Sequence, residues 1–353
     1  MTTKTITSIL TKDNRFSLKS ELLGRFFVLG IKISFFLILV ALLYSQVFAR
    51  EDMNFATLWN QIKNNLGTAT APLLIAVLLL MPLNWILEVQ KWRSLMPNRA
   101  ELTFFNAFKA VLAGLAVSLF TPNRIGEYGG RVLMVPKSMR IPTVWATIVG
   151  SFSQWIVLIV GGGWALVLAL AKGWIDIHPN LLYLSIVLAT IVTAALLWMY
   201  LNIQTMVGYT MRFKWTKKLA QTLSNGRDTP YSSTTLVPAL GFSLGRYATY
   251  STQYILLLLF FGFQANIASM LLSVMIIYFL QTGIPLPPST GLLARGNIAL
   301  LVLGWIGTAA NTSLIILAST FGLWMINVVF PAVIGGLFLL KATPLKKPLA
   351  ESL

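Results

Sequence analysis

The sequence predicts an all-α polytopic integral membrane protein with about six full transmembrane helices and two opposed re-entrant hairpins, arranged as an inverted repeat. Of its 353 residues, 56% are hydrophobic and 10% are charged, and the mean hydropathy is +0.76. Soluble domains carry about a quarter charged residues, so this composition belongs in a bilayer. Two polar segments rich in proline and glycine, near 121–131 and 285–297, interrupt the apolar sequence. Hydrocarbon tolerates such segments only where protein or a water-filled cavity surrounds them.

Six apolar runs are long enough to cross a bilayer, which takes about 20 mostly apolar residues in a helix. They lie at 26–48, 71–89, 143–171, 181–202, 236–263 and 312–340. Two shorter apolar stretches, 104–120 and 267–283, each run into one of the polar segments, which we call the first and second breaks. Paired interruptions in the two halves of a chain are a sequence sign of a transporter's binding site.

Basic residues in the loops predict the orientation, because positive charge stays on the cytoplasmic side. Residues 1–25 carry five lysines or arginines and are expected to form a cytoplasmic segment. The transmembrane domain is then 26–340, with halves joined by the basic loop 203–235, and 341–353 is a cytoplasmic tail. Another cytoplasmic loop is indicated after the second span by Lys91, Arg93 and Arg99. We predict a plasma (inner) membrane protein with both termini in the cytoplasm.

The loop charges predict one consistent topology only under two conditions. Residues 104–136 must enter the membrane from the cytoplasmic side and return there, and residues 267–308 must enter from the outer side and return there. Two re-entrant hairpins would then meet near the midplane, with the breaks at their tips. The alternative is a set of eight or more ordinary helices with proline kinks. The residues expected at the tips are Pro122, Gly126, Pro287, Pro288 and Gly291.

Few acids are available to balance the basic residues at membrane depth. Only Glu88 and Glu127 lie within apolar sequence, and no acid occurs between Asp228 and Glu351. An unpaired arginine at the centre of a membrane helix costs about 2.5–3.5 kcal/mol. Either these glutamates reach across from the first half, or an anionic ligand supplies the charge. Basic residues in or beside the apolar runs are Lys32, Lys109, Arg124, Arg131, Arg246 and Arg295.

We expect both kinds of partner, with Glu127 pairing one arginine and the other guanidinium groups cradling a phosphate. For Lys32 and Lys109 the simpler interpretation is a side chain that extends to the membrane interface. The candidate site for lipid or anion binding comprises Arg124, Glu127, Arg131, Arg246 and Arg295.

Several function classes are disfavoured by composition. The chain has no cysteine and a single histidine, His178, so neither a thiolate nor a histidine-rich metal site is expected. No catalytic triad, Walker loop or nucleotide-sugar motif is present, and we expect no cofactor. The remaining enzymatic alternative is a membrane-embedded transferase with Glu127 as general base. The net charge of +17 lies mainly between apolar runs, which favours anionic lipid head groups over nucleic acid.

The first break and its approach resemble a known family. Residues 109–122 lead into Arg124, Gly126-Glu127 and Arg131, in the order of the lysylphosphatidylglycerol synthase transmembrane-region family. Residues 88–95 resemble the end of its second helix, and Pro287-Pro288-Ser289-Thr290-Gly291 its second signature. The resemblance covers roughly 20–340. The sequence departs from the family pattern at Ala294, where many members carry glutamate, and at Ser151, Phe152 and Gln154, where a Glu-Arg pair is frequent.

The resemblance implies a lipid-handling membrane module. In members fused to a soluble transferase domain, the membrane part translocates the aminoacylated lipid that the transferase makes. This chain ends shortly after its last apolar run, so we expect a stand-alone translocator that moves an anionic or phosphate-bearing lipid between leaflets. The alternative is a non-catalytic accessory subunit of a membrane glycosyltransferase or lipid-modifying enzyme. The partners implied are anionic membrane lipids, with a homo-oligomer or a membrane enzyme left open.

Overall fold

The structure is a computed structural model that describes residues 34, 55–97, 102–119, 121, 124–205, 231–283, 291–307 and 312–341. The predicted span 26–48 lies outside the described residues. So do most of the basic loop 203–235 and the tip residues Pro122, Pro287 and Pro288.

Within the described residues, all regular secondary structure is helical. One 3₁₀ turn, Lys137–Met139, precedes α5, and a π-helical turn, Met325–Val329, joins α10 to α11. The helices are α1 Phe55–Leu66, α2 Ala71–Ser94, α3 Phe104–Ser118, α4 Gly126–Leu133, α5 Arg140–Ala171, α6 Pro179–Leu201, α7 Ser233–Phe260, α8 Ile267–Thr282, α9 Leu292–Gly304, α10 Thr312–Trp324 and α11 Phe330–Lys341.

The helices confirm an all-α polytopic membrane protein. Four described segments are long and apolar enough to cross a bilayer: Ala71–Ser94, Lys137–Ala171, Pro179–Leu201 and Ser313–Lys341. Helix α7 has 28 residues and is about 42 Å long at 1.5 Å per residue, enough to span a bilayer despite the polar side chains along it. The five predicted spans from 71–89 onward therefore all lie in helices.

The first break folds as a tight helical hairpin of α3 and α4. A Cβ atom added at Gly126 would lie 2.5 Å from the carbonyl oxygen of Val117, and one at Gly130 would lie 2.6 Å from that of Ala113. Gly126 lies against Val117 and Gly130 lies against Ala113, which is earlier in α3, so the two arms are antiparallel. Only glycine allows backbones to approach this closely.

Both ends of this hairpin lie at the same end of the bundle. Arg93 Nε, near the end of α2, donates a hydrogen bond to the Leu102 carbonyl at 3.0 Å. Leu102, where the hairpin begins, shares one buried apolar cluster with Met96, and with Val135 and Met139, where the hairpin ends. The chain thus enters and returns at one end of the bundle, as predicted for 104–136. Which face of a membrane this end meets stays a prediction.

The two halves of the chain pack in exchanged pairs. Helix α11, in the span that follows the second hairpin, packs against α3 of the first hairpin, and α5, the span that follows the first hairpin, packs against α8 of the second hairpin. A glycine makes each contact close: Gly335 lies against the Leu112 carbonyl, and Gly162 against Phe279. Helices α2 and α7 pack against each other at the centre. Two structural repeats would exchange contacts in this way, and the inversion of one relative to the other stays a prediction.

Candidate anion-binding site between the two hairpins

A cavity of about 290 Å³ is lined by described residues of both breaks and of the helices around them. The first hairpin contributes residues at the start of α4, and the second contributes the end of α8 and the start of α9. Helices α2, α5 and α7 complete the wall. The lining residues are Glu88, Lys91, Arg124, Glu127, Tyr128, Ser151, Gln154, Trp155, Leu158, Arg246, Tyr278, Gln281, Thr282 and Arg295.

The cavity lies halfway along the two longest helices. Arg246 is near the centre of α7, about 20 Å from each end at 1.5 Å per residue. Gln154 and Trp155 are at the middle of the 32-residue helix α5. The Ser153 and Ser243 hydroxyls are 2.8 Å apart and join the two helices at this level. If both helices cross the bilayer, the cavity is at its midplane, where broken-helix transporters bind their substrates.

Glu88 is the centre of the charge network beside this cavity. Its carboxylate accepts from Lys91 Nζ at 2.7 Å, from Arg131 Nη2 at 2.6 Å and from Arg246 Nη1 at 2.5 Å. Glu88 is only 7% exposed and Lys91 only 2%. Buried ions need partners of opposite charge, so this one carboxylate compensates cations from three different helices.

Glu127 forms the second carboxylate centre, in the first turn of α4. It pairs with Arg131 one turn further along the helix, and its other oxygen lies 3.4 Å from Arg124 Nε. Arg131 is therefore held between both glutamates, and its guanidinium also lies 5.2 Å from the centre of the Trp92 ring. Arg124 has a positive φ of 59°, uncommon for a residue with a side chain, which marks the break itself.

A chain of buried amides fixes Arg246 from the other side. Arg246 Nε donates to Asn84 Oδ1 at 2.9 Å, and Asn84 donates in turn to Asn327 at 3.1 Å. Asn327 donates to Gln253 at 3.1 Å, and Gln253 donates to the Val77 carbonyl at 2.9 Å. Asn327 lies in the π-helical turn, a feature that often occurs at functional sites.

Arg295 has no carboxylate partner among the described residues. Tyr250 and Tyr278 lie near it, and Arg124 lies close enough to repel it. Arg124 is itself the most exposed cation of the cluster, with 44% of its side chain accessible. The cavity thus receives two arginines, one from each hairpin, whose positive charge is only partly compensated.

The comparisons with known proteins agree with this architecture. The family model described as Lysylphosphatidylglycerol synthase TM region matches residues 27–329. The chain belongs to this family. No curated protein and no solved structure matches the chain significantly. The resemblance predicted from the first break is therefore confirmed, and the two hairpins and their cavity lie within the part of the chain that the family covers.

The residues predicted for the site come together in this family member. Arg124, Glu127, Arg246 and Arg295 line the cavity, and Arg131 lies behind it between the two glutamates. The sequence left open whether a glutamate of the first half or an anionic ligand compensates the arginines of the second half. The answer differs between Arg246 and Arg295. Glu88 reaches across to Arg246, whereas no described carboxylate reaches Arg295. The side chain of Lys109 on α3 is exposed, as expected for a residue outside the site.

Other tip residues have structural roles. Gly126 allows the close approach of α4 to α3, and Gly291 is the buried residue that precedes α9. Its carbonyl accepts the backbone N–H of Arg295 at 3.0 Å. Gly291 therefore belongs to the turn of helix that carries Arg295.

Sequence reasoning missed Lys91 and the amide chain. Lys91 was assigned to a cytoplasmic loop because the apolar run ends at 89, but α2 continues to Ser94 and buries the side chain. The spacing of three residues between Glu88 and Lys91 is a signal that could have revealed the pair. Asn84 and Asn327 are 243 residues apart, and no local pattern connects them.

Proposed function

We propose that this chain is a translocator for an anionic lipid, and that the cavity between the hairpins binds the phosphate of its head group. The observation that carries this proposal is the charge of the cluster. Among the described residues, five cations face two carboxylates, which leaves an excess of three positive charges; the cations are Lys91, Arg124, Arg131, Arg246 and Arg295. Such an excess at membrane depth is costly, and an anion would relieve it.

Phosphate fits this excess better than another protein carboxylate does. The oxygens of Glu88 are already shared among Lys91, Arg131 and Arg246. Arg124 and Arg295 come from opposite hairpins and repel one another. A phosphate between them would accept hydrogen bonds from both guanidinium forks and cancel the repulsion.

A lipid is favoured over a small soluble anion because one wall of the cavity is apolar. Leu158 and Trp155 line it, and Trp155 is 49% exposed at the middle of α5. That surface faces hydrocarbon if α5 spans the bilayer. A head group could therefore occupy the cavity while its acyl chains stay outside in an apolar environment.

The hairpins offer a physical basis for movement. Each carries one of the two partly compensated arginines, and each packs against the span that follows the other hairpin. Rocking of one half against the other would open the cavity alternately to the two sides. Loss of the phosphate would restore the repulsion between Arg124 and Arg295, which favours separation of the hairpins.

The test is lipid translocation by purified protein in vesicles that contain fluorescent phosphatidylglycerol or phosphatidylcholine. Arg295→Gln should slow movement of phosphatidylglycerol and weaken its binding by about 1.5–3 kcal/mol, or roughly 10- to 150-fold, the loss of a charge-assisted hydrogen bond. Lys172→Gln, at an exposed loop position, is the matched charge control. Arg295→Gln should keep its thermal stability, because no described carboxylate depends on Arg295.

Two results would contradict the proposal. One is unchanged phosphatidylglycerol translocation and binding in Arg295→Gln. The other is a wild-type protein that binds anionic lipid but moves no lipid between leaflets, which would favour the accessory-subunit alternative.

A further inference from the structure

An apolar groove of about 170 Å³ lies along α5, next to the charged cavity. Its walls are formed by α5, α6 and α8. Ile159, Gly163 and Leu170 line it from α5, Leu188 from α6, and Phe279 from α8. The hydroxyls of Ser185 and Thr193 also border the groove, but each donates to a carbonyl oxygen of its own helix. The groove therefore presents an apolar surface.

Consecutive residues of two helices line the cavity and the groove. On α5, Leu158 lines the cavity and the next residue, Ile159, lines the groove. On α8, Tyr278 lines the cavity and the next residue, Phe279, lines the groove. A polar compartment thus lies beside an apolar one, and a lipid has the same division at its glycerol.

The length of the groove matches one leaflet. From Ile159 to Leu170 the helix rises about 16 Å at 1.5 Å per residue. The hydrocarbon core of a bilayer is about 30 Å thick, so each leaflet contributes about 15 Å. The groove begins at the middle of α5 and ends near its C-terminal end, and so covers the depth of one leaflet.

We propose that this groove holds one acyl chain of the lipid whose phosphate binds in the cavity. This inference rests on the proposed function and makes the substrate a membrane lipid rather than a free phosphate compound. The groove adds little hydrophobic affinity, since a chain leaves hydrocarbon that is equally apolar. It gives the chain a path while the head group is at mid-depth.

The direction of the groove also identifies the leaflet of origin. With the phosphate at the middle of α5, the chain points toward Leu170. Lipids in the leaflet at the Arg140 end of α5 have their chains pointing the same way. A lipid bound in this manner has therefore entered from the leaflet at the Arg140 end without inverting its chains.

Gly163 provides the test, because the described residues leave open space where its side chain would be: a Cβ atom added there meets none of them within 4 Å. Gly163→Leu should fill the groove without disturbing the backbone. Its matched control is Gly241→Leu, an exposed helical glycine on α7 with the same open surroundings. Leu188→Trp fills the groove from the opposite wall and guards against an effect peculiar to α5.

The measurement is binding of dimyristoyl phosphatidate and of chain-free glycerol 3-phosphate to the purified full chain in phosphatidylcholine nanodiscs. Gly163→Leu and Leu188→Trp should weaken phosphatidate binding by about tenfold, equivalent to about 1.4 kcal/mol, and leave glycerol phosphate binding unchanged. Gly241→Leu should change neither. Unaltered phosphatidate binding in both groove variants overturns the inference.

Arg295→Gln separates the two proposals. If Arg295→Gln weakens binding of both ligands while the groove variants weaken binding of neither, the phosphate site stands and the groove inference fails. If Arg295→Gln weakens binding of neither ligand, the proposed function fails. If the groove variants weaken binding of glycerol phosphate as much as binding of phosphatidate, they act on the phosphate site and the groove inference fails.

Discussion

At the scale of single residues, Glu88 organises the site. Its two oxygens meet three cations that come from α2, α4 and α7, and hence from both halves of the chain. Breaking a buried ion pair by removing one partner costs more than the pair contributes, because the other charge stays buried and unpaired. Glu127 has a narrower role, since its main partner Arg131 also contacts Glu88.

These contacts predict that Glu88→Gln destabilises the protein more than Glu127→Gln does. Loss of the Glu88 charge leaves Lys91 and Arg246 without any described carboxylate and should cost about 3–5 kcal/mol. In Glu127→Gln, Arg131 keeps Glu88, so the cost should be smaller. Thermal unfolding of the purified variants measures the order, with Asp176→Asn as an exposed control. Equal stability of the two variants would show that Glu88 is not the centre of the network.

At the scale of elements, the first hairpin depends on close backbone contact between α3 and α4. Adjacent glycines differ sharply there. Gly130 faces Ala113 and Gly114 on the opposite arm, whereas Gly129 has no described atom within 4 Å of a Cβ position. The two glycines are adjacent in the sequence, and only the packing of the hairpin distinguishes them.

We therefore predict opposite effects for two adjacent alanine substitutions. Gly130→Ala should force α3 and α4 apart, lower the melting temperature and displace Arg124 and Glu127 from the cavity. Gly129→Ala should be neutral or stabilising by up to about 1 kcal/mol, the difference in helix propensity between glycine and alanine. Each variant serves as control for the other in a melting and lipid-binding assay. A destabilised Gly129→Ala beside a normal Gly130→Ala would reject this hairpin geometry.

At the scale of the whole molecule, the two halves exchange contacts around the central pair α2 and α7. The charge network crosses between the halves at the same level as both hairpin breaks. A relative movement of the halves would thus change the distances among the ions directly. A bound anion would therefore stabilise one conformation more than the other, which a ligand-driven transition requires.

The predicted orientation is open to direct test. Thr103, before α3, and Lys137, after α4, should lie on the same cytoplasmic face, and His178, before α6, should lie on the outer face. The chain lacks cysteine, so single cysteines at these exposed positions can be labelled specifically with a membrane-impermeant thiol reagent. Labelling of Thr103→Cys and Lys137→Cys from opposite sides would eliminate the re-entrant first hairpin.

The sequence alone determined the membrane class, the described spans, both helix breaks and the family. Each of these depends on local composition: apolar runs must be helical in hydrocarbon, and proline and glycine interrupt them. It also indicated that charged residues at depth must find partners, and it identified Arg124, Glu127, Arg131, Arg246 and Arg295 as the group to examine.

Only the tertiary structure decided which charges pair and which remain for a ligand. Glu88 and Arg246 are 158 residues apart, and their contact depends on the packing of α2 against α7. Lys91 belongs to the site because the packing of α2 buries a turn that composition assigns to a loop. Arg295, like Arg246, is a basic residue in or beside an apolar run of the second half, but no described carboxylate contacts it. The energy of a buried charge depends on its neighbours within a few ångströms, and tertiary packing determines which residues those neighbours are.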